Sequence, residues 1–171
     1  LDASLQAQFT DGNTVSLTSN PTTGGRLMTV AFNDLGTVLR FLNIYPRLLG
    51  GSGSLTLRTD ARASVDYGEV RLKNFSLVDE AKVAEILGNH KDSRKLIAEE
   101  NRLNFQNAQV SFIRRSDRIE LTDGVLDGGS IGGTLKGFIY TKTRQYDLTG
   151  TYIPLFGLNN MFQKLPIIGE L

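Results

Sequence analysis

A chain of 171 residues is long enough for one domain that buries about two thirds of its unfolded surface. Its formal net charge of +1 gives no extended basic surface, so nucleic acid is not an expected partner. With no cysteine and the single histidine His90, it excludes disulfides, thiol catalysis, thiolate metal sites and any site built on two imidazoles.

The chain opens at Leu1 without an initiator methionine or a basic, apolar targeting segment, so a fragment of a longer protein is expected, its anchor or export signal lying elsewhere. LDASLQAQF puts Leu1, Ala3, Leu5, Ala7 and Phe9 on one side and polar residues on the other, the period of a half-buried strand. The alternation returns in RLMTVAF, SLTLRT, ASVDYGEVRLKNFSLV, NAQVSFIR, RIELTD, GTLKGFIYT and RQYDLTGTY. Between these runs DGN, NPTTGG, GGSG, RSD, TDGVLDGG and TKTR read as turns, which predicts antiparallel hairpins rather than βαβ units.

Three helical stretches interrupt the strands. In NDLGTVLRFLNI, Leu35, Val38, Leu39 and Leu42 share a stripe, with Asn33 or Asp34 as N-cap; the helix is expected over 34–43. DEAKVAEILG offers Val83, Ile86 and Leu87 between Asp79 and Gly88, and DSRKLIAEEN is a shorter, polar helix capped by Asp92. His90 sits in the polar run GNHKDSR, a solvated loop. In the closing segment Leu155, Leu158, Phe162 and Leu165 recur at helical spacing before Pro166 breaks the pattern, and Ile167 and Ile168 follow. Prolines, asparagines and a lysine exclude a spanning helix there. An amphipathic cap on an apolar surface is the expected role of Leu155, Leu158, Phe162, Leu165 and Ile168. No linker divides 1–171, which reads as a single domain.

The glycine-rich stretch GGSIGGTLKG fails as a phosphate loop, because Thr134 stands where lysine is required; GGSGS completes no dinucleotide fingerprint either. Glycines beside strands more often mark bulges and curvature. The carboxylate pairs Asp66 with Glu69, Asp117 with Glu120 and Asp123 with Asp127 form no calcium array and are expected mostly in turns. Arg114 and Arg115 read as a solvated strand edge. No metal, cofactor or catalytic residue is assigned.

Many amphipathic strands with few helices to cover them predict a mainly β fold: a strongly curved, largely antiparallel sheet or partly open barrel, capped by a few short helices. Such a sheet must close, stack on another, or leave a groove for an apolar guest. Wall positions on the apolar phase are Leu55, Leu57, Val70, Leu72, Val110, Phe112, Ile119, Leu121, Leu135 and Leu148.

Certain stretches carry a resemblance. NDLGTVLRFLNIYPRLLGGSGSLTL, VRLKNFSLVDEAKVAEIL and the run from Leu121 to Leu171 resemble the C-terminal region of AsmA-like proteins. The ending is the most specific part, through Gly150, Pro154, Leu158, Asn159, Pro166 and Gly169; GNHKDSRKLIAEEN fits as an insertion, and Leu171 falls where relatives continue. The resemblance implies a periplasmic part of an inner-membrane-anchored envelope protein of a Gram-negative bacterium. It implies an apolar β-groove associated with phospholipid transport and outer-membrane integrity, and no established catalytic residues. Expected partners are lipid acyl chains, the membrane through the rest of the parent chain, and envelope proteins. The alternative is a structural module with a filled core that pairs with neighbouring β segments.

Overall fold

A computed structural model describes residues 2–60, 62–79, 102–128, 131–143 and 145–154. Nine strands follow in chain order: β1 (Ala3–Gln8), β2 (Thr14–Thr22), β3 (Gly25–Phe32), β4 (Leu48–Asp60), β5 (Val65–Val78), β6 (Arg102–Arg114), β7 (Arg118–Asp127), β8 (Ile131–Tyr140) and β9 (Gln145–Pro154). Each pairs antiparallel with the next, giving one sheet in the order β1 to β9. This is the mainly β, antiparallel architecture that the alternation and the turns predict. Among the described residues the sheet is open, because β1 and β9 do not pair and each bonds on one side only.

Between β3 and β4 lies α1 (Leu35–Phe41), the one helix among the described residues. The Asp34 carboxylate accepts a hydrogen bond from the Thr37 backbone N–H at 2.8 Å and so caps the first turn. Asn43, in the left-handed region at φ 54°, ends it, and the Ile44 N–H reaches the Leu39 carbonyl at 2.9 Å. Leu42, expected on the buried stripe, instead forms the C-cap and is exposed. Apart from Asp79, the helices predicted over DEAKVAEILG and DSRKLIAEEN, and the capping tail with Leu155, Leu158, Phe162, Leu165 and Ile168, lie outside the described residues.

Three local readings are corrected. TVSLTSNPT, passed over between two turns, forms β2, whose Val15 and Leu17 keep strand phase. GGSG is no turn but lies inside β4, where Gly50 and Gly51 take φ of 70° and 95° without ending the pairing. TDGVLDGG is mostly strand: β7 continues to Asp127 through a bulge, since Phe112 pairs with Leu121 while Val110 pairs with Gly124.

The core gathers where α1 meets the sheet. Phe32, Leu48, Leu72, Phe75, Leu103 and Phe105 form one buried cluster, against which Leu35, Val38 and Leu39 of α1 pack. The Phe75 and Phe105 rings stack with centroids 4.9 Å apart and planes 14° from parallel. Burying each such side chain contributes roughly 1.5–3 kcal/mol, so this corner is where the sheet is anchored.

Candidate functional site

Directly paired residues in an antiparallel sheet point to the same side, and alternate residues to opposite sides. Following the register across the strands therefore sorts every position by face. One row runs Leu5, Leu17, Val30, Leu55, Val70, Val110, Gly124, Leu135 and Gly150, one residue from each of the nine strands, with no polar side chain. On one side of it runs Ala3, Ser19, Met28, Leu57, Gly68, Phe112, Leu121, Gly137 and Leu148. On the other runs Ala7, Val15, Phe32, Gly53, Leu72, Ala108, Leu126 and Gly133. Eight intervals of about 4.8 Å make each full ladder about 38 Å long.

All ten predicted wall positions fall on this one face. Leu55, Val70, Val110 and Leu135 share the central ladder; Leu57, Phe112, Leu121 and Leu148 share the second; Leu72 belongs to the third, and Ile119 to the next row out. Leu57 and Leu72 are buried, whereas Leu148 at β9 is 37% exposed and Leu5 at β1 is 61% exposed. Coverage thus falls toward the sheet edges. The apolar phase also includes Leu17, Val30, Met28 and Leu126, which the sequence reading left out. Strand alternation alone would have found Leu17, Val30 and Met28.

The face is thin as well as apolar. A Cβ on Gly68 would collide with the ring edge of its cross-strand partner Phe112, so the aromatic occupies the space that glycine leaves. Gly137 takes φ 134° and a Cβ there would collide with the Asp147 carbonyl of β9, so only glycine permits this approach of neighbouring backbone. Glycine in the ladders admits adjacent strands toward the apolar side, in keeping with curvature rather than phosphate binding.

A polar row ends the apolar face. Arg26 donates through Nε to the Ser19 hydroxyl and through Nη2 to the Ser19 carbonyl, both at 3.0 Å. Asp66 is buried and accepts from Arg114 Nε at 2.7 Å. Arg114 is thus more than a solvated edge: it neutralises a carboxylate beside apolar residues. On the opposite face the row backing the central ladder is mostly polar, with Ser16, Ser54, Arg71, Gln109 and Thr134 beside Ala31 and Val125, whereas a row nearer the strand ends carries Leu27, Tyr67, Ile113 and Phe138. A depression of about 520 Å³ on that side is bordered by Arg71, Lys73, Asn107, Gln109, Asp123 and Asp127.

The carboxylate pairs do not assemble into a catalytic or metal centre. Asp66 and Glu69 lie on opposite faces of β5, and Glu69 bonds Arg71. Asp117 holds Arg118 at 3.0 Å, and Asp127 accepts from the Asn107 amide at 3.4 Å. Of the six, only Asp117 lies in a turn; the others are in strands, against expectation. Asp11, in the β1–β2 turn, is held below its ordinary pKa by the Asn13 backbone N–H. Among the described residues no three His, Cys, Asp or Glu side chains come together as metal ligands, and no helix is long and apolar enough to cross a membrane. Compared with family models, with curated proteins and with solved structures, the chain matches none.

Proposed function

We propose that this chain is a non-enzymatic module of a Gram-negative envelope protein that binds phospholipid acyl chains along its apolar face. In this reading it is the periplasmic part of an inner-membrane-anchored parent and supports lipid transport to, and integrity of, the outer membrane, as the AsmA-like resemblance implies. The observation that carries the reading is the central ladder: one aliphatic or glycine residue from each of nine strands, backed by a mostly polar row. At about 0.8 kcal/mol per buried CH₂, a 16-carbon chain offers on the order of 12 kcal/mol gross, comparable with the 4–15 kcal/mol or so that association costs. A ladder of about 38 Å is longer than such a chain.

Native mass spectrometry and lipid extraction of the purified chain test this directly. Co-purifying phospholipid and saturable uptake of a fluorescent fatty acid are expected. Consistent absence of both would overturn the reading.

A second reading is favoured by the outer edges of β1 and β9, which pair with no other strand among the described residues; every residue of β1 is exposed. Either edge could add a strand from a neighbouring segment of the parent or from a partner. That outcome predicts self-association or partner capture with no bound lipid.

A further inference from the structure

In a nine-strand meander the turns fall at two ends of the sheet, and here the ends differ in charge. The β2–β3, β4–β5, β6–β7 and β8–β9 turns share one end with the outermost paired rows. Described residues at this end supply six cations, Arg26, Arg62, Arg114, Arg115, Arg118 and Lys142, and three acids, Asp60, Asp66 and Asp117. The whole chain carries only +1, so an excess of three at this end leaves the rest of the chain at −2 (1 − 3).

Each of the three acids is engaged locally. Asp60 accepts from the backbone N–H groups of Arg62 at 2.9 Å and Ala63 at 3.1 Å; Asp66 is held by Arg114 and Asp117 by Arg118. Arg62, Arg115 and Lys142, on three successive hairpin tips, are exposed. One row inward, Asp2 before β1 joins Glu120 and Asp147, and together they outnumber Arg58, which lies over the Tyr67 ring at 5.3 Å. The positive charge is therefore confined to the tips, at the boundary of the apolar face.

We propose that this basic hairpin end docks on an anionic phospholipid bilayer, laying the long flank of the apolar ladders along the headgroup layer. A flat surface of phosphates is matched by cations spread over several tips, each of which adds to binding near an anionic leaflet. The inference gains its meaning from the acyl-chain reading, but surface docking and acyl binding can fail separately.

Co-sedimentation of the full chain with vesicles tests it, using phosphatidylcholine alone against phosphatidylcholine mixed with phosphatidylglycerol. Binding is expected only to the anionic vesicles, and is expected to weaken as ionic strength rises from about 10 mM to about 150 mM, where the screening length falls from about 30 Å to about 8 Å. The triple variant Arg62→Glu, Arg115→Glu, Lys142→Glu should lose at least about tenfold in affinity. The pair Arg71→Glu, Lys73→Glu on the polar face should lose less than about twofold, and fatty-acid uptake should be unchanged in both variants. Equal binding to both vesicle types, insensitivity to salt, or equal losses in the two variants overturns the proposal. If the triple variant does not fold, the lipid and salt series on the unaltered chain still decides it. Anionic-vesicle binding without fatty-acid uptake would leave the docking in place and remove the acyl-chain reading instead.

Discussion

The two exposed ends of the apolar ladders offer a way to separate ligand binding from core packing. Leu5 is 61% exposed and Leu148 is 37% exposed, on opposite edges of the sheet. Full burial of a leucine is worth roughly 1.5–3 kcal/mol, so an acyl chain covering what remains open would gain about 1.5 kcal/mol at Leu5 and about 1 kcal/mol at Leu148. The double variant Leu5→Ser, Leu148→Ser is the right perturbation, because a ladder of about 38 Å exceeds one acyl chain and a single ligand covers one end. The already buried parts of these leucines contribute to folding, so stability should fall by about 2 kcal/mol and Tm by about 4–8 °C. Uptake of a fluorescent fatty acid should weaken at least about fivefold, the equivalent of about 1 kcal/mol. Val125, 46% exposed on the other face, is the control: Val125→Ser removes open apolar area comparable with that at Leu148 alone and should leave uptake within about twofold. Uptake unchanged in a folded double variant, or equal losses in the control, would refute the assignment of acyl chains to this face.

Other variants probe the framework. Phe75→Ala removes half of the stacked pair from the buried cluster and should cost about 3–5 kcal/mol, read as a lower urea midpoint. Gly137→Ala places a methyl against the Asp147 carbonyl at φ 134° and should destabilise by more than about 2 kcal/mol in the same assay. Asp34→Ala removes the α1 cap; about 1 kcal/mol should be lost, with faster amide exchange in α1.

Much of the apolar face was legible because a strand repeats every two residues. Once Leu55 and Leu57 are assigned to one side, Val70, Val110 and Leu135 follow from their own alternation, and the register brings them together. The face breaks down where alternation does. Leu72 and Phe75 are both buried although three residues apart, with Lys73 and Asn74 both exposed between them. Phe105 and Ala108 repeat the pattern on β6, so Phe75, Leu103 and Phe105 were missed by phase. Glycine and aspartate mark turns and bulges alike, so GGSG and TDGVLDGG look like chain reversals in sequence alone. β2 is hard to read from sequence because Ser and Thr fill its polar phase and NPT its end, a composition shared with loops.

The irregular row itself explains how three strands keep one apolar face. Asn74 sits at φ 53° beside Gly50 and Gly51, also at positive φ, between the pairs Lys73 with Asn107 and Phe75 with Phe105. Each of β4, β5 and β6 passes one extra residue there, so their register is unchanged while their phase flips together. Without that step, a regular β5 that keeps Leu72 inward would turn Phe75 and Leu77 to the polar side, and the cluster under α1 would be lost. Asparagine tolerates the left-handed region and glycine tolerates it better, but a β-branched residue does not. Asn74→Gly should therefore stay within about 0.5 kcal/mol of the parent, whereas Asn74→Val should lose about 1–3 kcal/mol. Valine ordinarily favours strands, so simple propensity predicts the opposite order. A valine variant as stable as the parent by urea unfolding would mean that the left-handed step at Asn74 is not what carries the apolar face through to Phe75.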